Sequence, residues 1–233
     1  MAEPTFPSRP SVGRLILVPS IITLAITVFR LVGELEHWSP RLFNTSVGGG
    51  GALVGISWLP IILGPYFAAR LLEAGERPKP IGRSIGLAVL GLAVAIVVTL
   101  LPVMLQMRLA FEPRLLYGWT AFVFGALVTL AAWPALFKVL LAYAYAARVP
   151  VAVIMFFAFQ GNWGTHYDAP PPDLPPTMSL VPKYIWLGLV PQLTLWVAFT
   201  LMVGMFFGTL AVFVMRLARM APGAADPASK ANY

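Results

Sequence analysis

Two histidines and nine Asp or Glu carboxylates hold the metal-ligating capacity of this 233-residue chain, and five of these eleven residues fall in two short clusters. Glu34, Glu36 and His37 lie in GELEHWSP, and His166 and Asp168 lie in QGNWGTHYDAPPP. Imidazole and carboxylate suit zinc or manganese, and a site with three protein ligands and an open position activates water. Glu34, His37, His166 and Asp168 are accordingly the candidate metal ligands, provided that the two clusters meet. The spacing Glu34-x-Glu36-His37 matches no known metal motif, so solvated loop residues are the simpler account of both.

Asn162, Trp163, Thr165, His166, Tyr167 and Asp168 crowd hydrogen-bonding and aromatic side chains into seven positions, a candidate surface site for a headgroup, a glycan or a protein partner. The bland alternative is a membrane-surface turn, with Trp163 and Tyr167 as interfacial anchors and Gly161 and Gly164 supplying tight backbone geometry.

Other chemistries are excluded or disfavoured. The absence of cysteine removes disulfides, thiolate metal sites and a cysteine nucleophile. Gly48 to Gly51 are not followed by Gly-Lys-Ser/Thr, so they form no phosphate loop. No nucleotide motif, Ser-His-Asp order or intramembrane histidine pair is present, and no cofactor is expected. All nine carboxylates read as loop or terminal residues, which disfavours a proton-driven pump, since that usually needs a buried carboxylate or histidine in its path.

The elements that must position these residues are written in the composition. The chain is 59% hydrophobic and 11% charged, with a mean hydropathy of +0.82, whereas charged residues make up about a quarter of soluble proteins. Uncharged runs long enough to cross hydrocarbon, roughly 20 residues in a helix, recur along it. The fold expected is an all-α, integral membrane, multi-pass helix bundle. It has five long transmembrane helices, at about 15–32, 50–71, 84–107, 115–141 and 184–215, and a short re-entrant or tilted sixth segment at 149–160. Together these make one domain over 1–220, followed by a polar tail at 221–233 that reads as disordered. Helical character continues past Trp133-Pro134 towards Arg148, and the tyrosines and basic residues there read as turns emerging along the headgroups. Small residues four apart, Gly51 with Gly55 and Gly204 with Gly208, are candidates for close helix packing.

The net charge of +7 comes from basic residues placed mainly at the ends of apolar runs, a membrane-flank pattern that points to anionic lipid headgroups as partners and away from nucleic acid. The densest basic connection, Arg70 to Arg83, belongs on the cytoplasmic side. With six crossings, ten basic residues lie inside and five outside, and the 161–183 loop faces out. A homo-oligomer or a membrane-protein partner fits the small-residue pairs as well as packing within one copy does. The expected role is non-catalytic, in membrane organisation, complex assembly or passive solute passage in a bacterial cytoplasmic membrane. The alternatives are an enzyme acting on a lipid or glycan headgroup, and a small secondary carrier built around Pro60, Pro65 and Pro191.

Overall fold

A computed structural model describes residues 11–49, 52–78 and 80–220. Among these residues every regular element is helical. The order is α1 (Val12–Leu35), a 3-10 turn (Val47–Gly49), α2 (Leu59–Glu73), α3 (Ile81–Met104), α4 (Phe111–Leu130) and α5 (Pro134–Gly161). The last segment runs as α6 (Leu180–Tyr184), a π-helical turn (Ile185–Leu189), α7 (Val190–Leu193) and α8 (Leu195–Met220). Five stretches are long and apolar enough to cross a membrane: Val12–Leu35, Ile81–Met104, Phe111–Leu130, Pro134–Gly161 and Leu180–Ala218. Large aliphatic side chains stay exposed along them, as at Leu17, Val18, Ile21 and Ile22 on α1 and Val97 and Val103 on α3. A contiguous apolar exterior on this scale has lipid as its solvent, and the molecule is a helical membrane bundle.

Three of the expected segments have other boundaries: the helix expected at 50–71 begins only at Leu59. The helix placed at 115–141 stops at Leu130, and Trp133 adopts an extended conformation with Pro134 as the first residue of α5. Proline is well suited to that position, since its missing N–H would be unsatisfied there and its φ is already helical. The 12-residue segment at 149–160 is therefore the second half of a 28-residue helix, about 42 Å long, and it is not a short crossing. The short member is α2, at 15 residues.

Where lipid replaces water there is little hydrophobic gain in joining helices, so close packing must hold them. The glycines show where. A methyl group at Gly64 of α2 would stand 2.8 Å from Gly204 Cα on α8, and one at Gly208 would meet Leu136 Cδ2 at 2.8 Å. Gly91 of α3 lies so close to α4 that a methyl group there would be 2.5 Å from the Gly125 carbonyl oxygen. Phe67, Leu136, Leu140, Met202 and Met205 fill the core between these crossings. Ser84 Oγ donates to the Ala132 carbonyl at 2.8 Å, fixing the start of α3 against the α4–α5 joint. Tyr143 and Thr23 share a 2.8 Å hydroxyl bond that ties α5 to α1.

Candidate functional site

Helix α1 reaches into the first polar cluster: Glu34 lies in its last turn, Glu36 caps it and His37 follows. Arg30 and Glu34 are four residues apart and so share a face. Both are buried, Glu34 at 1% exposure, and Arg30 Nε donates to Glu34 Oε1 at 2.7 Å. Arg30 Nη2 donates to the carbonyls of Asn44 (3.0 Å) and Gly49 (3.1 Å), so the α1–α2 connection is folded over the guanidinium. That requires glycine: a methyl group at Gly49, whose φ is 67°, would stand 2.7 Å from Nη2, and one at Gly55 would be 2.9 Å from Nη1.

The second polar cluster meets the first there. Asn162 ends α5 in the left-handed region at φ 48°, and the Asp168 carboxylate accepts from Gly164 N (2.9 Å), Thr165 N (2.8 Å) and Thr165 Oγ1 (2.7 Å). This self-bonded turn drives His166 and Tyr167 inward. The His166 backbone N–H donates to Glu34 Oε2 at 2.8 Å, and its Nδ1 lies 2.6 Å from Oε1 and 2.8 Å from Oε2. Tyr167, 3% exposed, donates its hydroxyl to the Thr27 carbonyl at 3.3 Å.

The Glu34 carboxylate, paired with Arg30, can only accept, so Nδ1 carries the proton and donates it. His166 Nε2 has no partner among the described residues. Burial pushes the His166 pKa below its usual value; the Glu34 hydrogen bond opposes that shift and the Arg30 charge adds to it. Burial likewise raises the Tyr167 phenol, keeping it neutral.

These groups form one wall of a cavity of about 330 Å³. The lining combines the C-terminal part of α1, the second half of α5, the start of α4 and the first turns of the last segment, so the cavity sits at one end of the bundle and reaches inward. Arg148, midway along α5, lies deep in it. Only 5% exposed, it has no carboxylate within ion-pair distance among the described residues, and its guanidinium rests 4.7 Å above the Trp196 ring. Trp119 and Trp186 stack at 5.4 Å on a further wall. Gln192 also lines the cavity; its Nε2 donates to Met155 Sδ and its Oε1 has no partner among the described residues. A buried cation without a counter-ion is costly unless something supplies the missing charge. The arrangement is built to receive an anion, with aromatic surface beside it.

The residues expected from sequence separate accordingly. Glu34 and His166 do meet, whereas His37 is exposed just beyond α1. Asp168 is consumed by its own turn, and Glu34 by Arg30 and His166. Among the described residues no three His, Cys, Asp or Glu side chains are grouped to hold a metal: of Glu34, His37, His166 and Asp168, the expected ligands, the first and third meet, His37 lies apart and Asp168 bonds its own turn. Of the proposed surface site, His166 and Tyr167 face inward, Asn162, Thr165 and Asp168 shape the turn, and Trp163 packs beside Gly161. Gly204 and Gly208 sit at helix crossings, Gly55 packs Arg30 instead of a helix, and Gly51 lies outside the described residues.

Arg30, Arg148 and the three tryptophans were not anticipated. The signals were present: Arg30 to Glu34 is an ion-pair spacing, and Arg148 stands between two apolar half-helices whose sum crosses a bilayer.

The class so defined is a helical membrane bundle with a cationic, tryptophan-lined cavity at one end. Comparison with protein-family models, with curated proteins and with solved structures found no match to this chain.

Proposed function

We propose that this is a multi-pass protein of a bacterial cytoplasmic membrane that binds, without catalysis, an anionic phosphate or carboxylate headgroup in its cavity. The bacterial assignment rests on the preference for Arg and Ala over Lys. Orientation follows from the basic residues at the helix ends. Arg14, Arg70, Arg77, Arg83, Lys138 and Arg216 lie at the helix ends away from the cavity, against Arg30, Arg41, Arg108, Arg114 and Lys183 at the cavity end. The richer end belongs in the cytoplasm, and the cavity opens outward.

The observation that carries the reading is Arg148, a buried guanidinium with no counter-ion among the described residues, in the wall of the cavity. Arginine holds its charge in such surroundings and presents a fork that fits an oxyanion. Trp119, Trp186 and Trp196 supply apolar faces, which favours an amphiphile over a bare ion.

The test is calorimetric binding to the purified protein in a non-ionic detergent, with three probes: dioctanoyl phosphatidylglycerol, the matching zwitterionic phosphatidylcholine, and glycerophosphoglycerol, which is the headgroup without chains. Binding of the first and not the second is expected. Binding of the third with equal affinity would assign a free solute instead of a lipid. Arg148→Gln should weaken phosphatidylglycerol binding about tenfold or more, since a hydrogen bond to a charged group is worth about 1.5–3 kcal/mol. Equal binding by wild type and variant would refute the site.

A further inference from the structure

We propose that the cavity takes up its anion together with a proton, and that His166 holds that proton on Nε2. The inference rests on the reading of the cavity as an anion site and adds a second, coupled ligand to it.

Charged groups surround the His166 ring and the cavity it lines. From α1 come Arg30 and Glu34, in mutual contact at 2.7 Å. Arg148 of α5 lines the same cavity, and the ring's own loop supplies Tyr167, which is neutral, and Asp168, whose carboxylate is turned to Gly164 and Thr165. The 47–49 turn and the last segment present only uncharged groups to the cavity, Gly48, Gly49, Gln192 and Trp196 among them. Arg30 and Glu34 cancel, so the empty cavity is positive by the charge of Arg148. A second cation on His166 would stand beside Arg30, in a cavity already positive from Arg148 and with one carboxylate already shared, and the ring stays neutral.

An anion seated against Arg148 changes that balance. Its negative charge favours the imidazolium form, and the new Nε2–H becomes a donor on a ring that lines the cavity. The bound state then has both ring N–H groups satisfied: Nδ1–H on Glu34, where it already lies at 2.6 Å, and Nε2–H on the anion. The proton comes from solvent, and no covalent bond other than N–H is formed. Glu34 is a positioning residue here. It fixes the ring so that the lone pair, and later the proton, face the ligand, as a carboxylate partner does for a catalytic or metal-binding imidazole.

Linkage makes the effect reciprocal: if anion binding draws in a proton, a lower pH must tighten anion binding. For one linked proton the limit is about tenfold per pH unit. A bundle with this property has the thermodynamic core of a proton-coupled carrier. The buried carboxylate and the histidine that such a carrier needs are Glu34, inside α1, and His166, whose half-buried ring its loop turns onto Glu34.

The experiment is calorimetric titration of the full chain in non-ionic detergent with dioctanoyl phosphatidylglycerol, whose phosphodiester does not itself titrate between about pH 5 and pH 8. Each titration is repeated in two buffers of different ionisation enthalpy, so that proton uptake is read directly. Wild type should bind more tightly at about pH 6 than at pH 8 and take up a substantial fraction of a proton near neutrality. His166→Asn keeps a donor where Nδ1 stood and cannot titrate; it should still bind, with no uptake and no pH dependence. Proton-independent binding by wild type overturns the proposal, as does pH dependence surviving unchanged in His166→Asn. Failure of wild type to bind at any pH removes the anion reading itself and this inference with it, whereas binding without uptake removes only the inference.

Discussion

Removing the charge of Glu34 while keeping its shape tests the polar end of the bundle most directly. In the wild type its two oxygens accept from Arg30 Nε at 2.7 Å, from the His166 backbone at 2.8 Å and from His166 Nδ1 at 2.6 Å. Glu34→Gln leaves one acceptor oxygen and introduces an NH2 that faces donors. Breaking one partner of a buried ion pair costs about 3–5 kcal/mol, because the surviving charge is left uncompensated. Arg30 retains its bonds to the Asn44 and Gly49 carbonyls, which places the loss near the low end, about 3 kcal/mol. For a chain of this size, about 2–4 °C of melting temperature accompanies each kcal/mol, so a fall of about 6–12 °C is expected. The assay is thermal unfolding in detergent, followed by tryptophan fluorescence and by the monodisperse fraction on size exclusion. Glu36→Gln, two residues on and exposed, is the control and should change little. Arg30→Gln combined with Glu34→Gln should cost clearly less than the sum of the two single variants. Equal shifts for Glu34→Gln and Glu36→Gln, or strict additivity in the double variant, would refute the buried pair.

Two further outcomes are expected. Gly64→Ala drives a methyl group into the Gly204 backbone and should destabilise the bundle by about 1–3 kcal/mol, whereas Gly82→Ala, with open space around it, should not; equal melting temperatures would dismiss the α2–α8 crossing. With the cavity empty, the His166 pKa is lower folded than unfolded, so the unfolded chain binds more protons between those two values. Stability is then complete above about pH 6.5 and is lost as pH falls from there towards the folded value, by at most about 1.4 kcal/mol per pH unit. His166→Asn should remove that slope in a pH series of melting temperatures, and an unchanged slope would assign it to another group.

The helical membrane class was legible because hydropathy and charge placement report directly on solvent. Boundaries and site were less so, for two identifiable reasons. Arg148 marks the end of a span if charges are assumed to seek water, and the length then left, Val149 to Gln160, is too short to cross. In the folded chain the guanidinium is sheltered by Trp196 and the cavity, so the helix passes through the charge. The same assumption puts Glu34 in a loop, whereas a partner four residues back and a histidine 132 residues on keep it inside α1. His166 was singled out from composition alone; that Asp168 turns it inward through three bonds to its own loop depends on a backbone conformation the sequence does not spell out. The Trp133-Pro134 break is ambiguous in sequence, since proline can kink a helix or begin one, and only the extended geometry of Trp133 decides.

The brevity of α2 bears on the surrounding bilayer. Its 15 residues reach about 22 Å, some 8 Å less than a hydrocarbon core of about 30 Å. Were α2 to cross the bilayer, lipids beside it would dip to meet its ends, since a short hydrophobic span is accommodated by local thinning. Such a dimple would adjoin the connection that wraps Arg30, which leads into α2, and would draw the leaflet's polar layer towards the mouth of the cavity. A lipid diffusing past would then reach Arg148 by a short sideways step, without first leaving its leaflet.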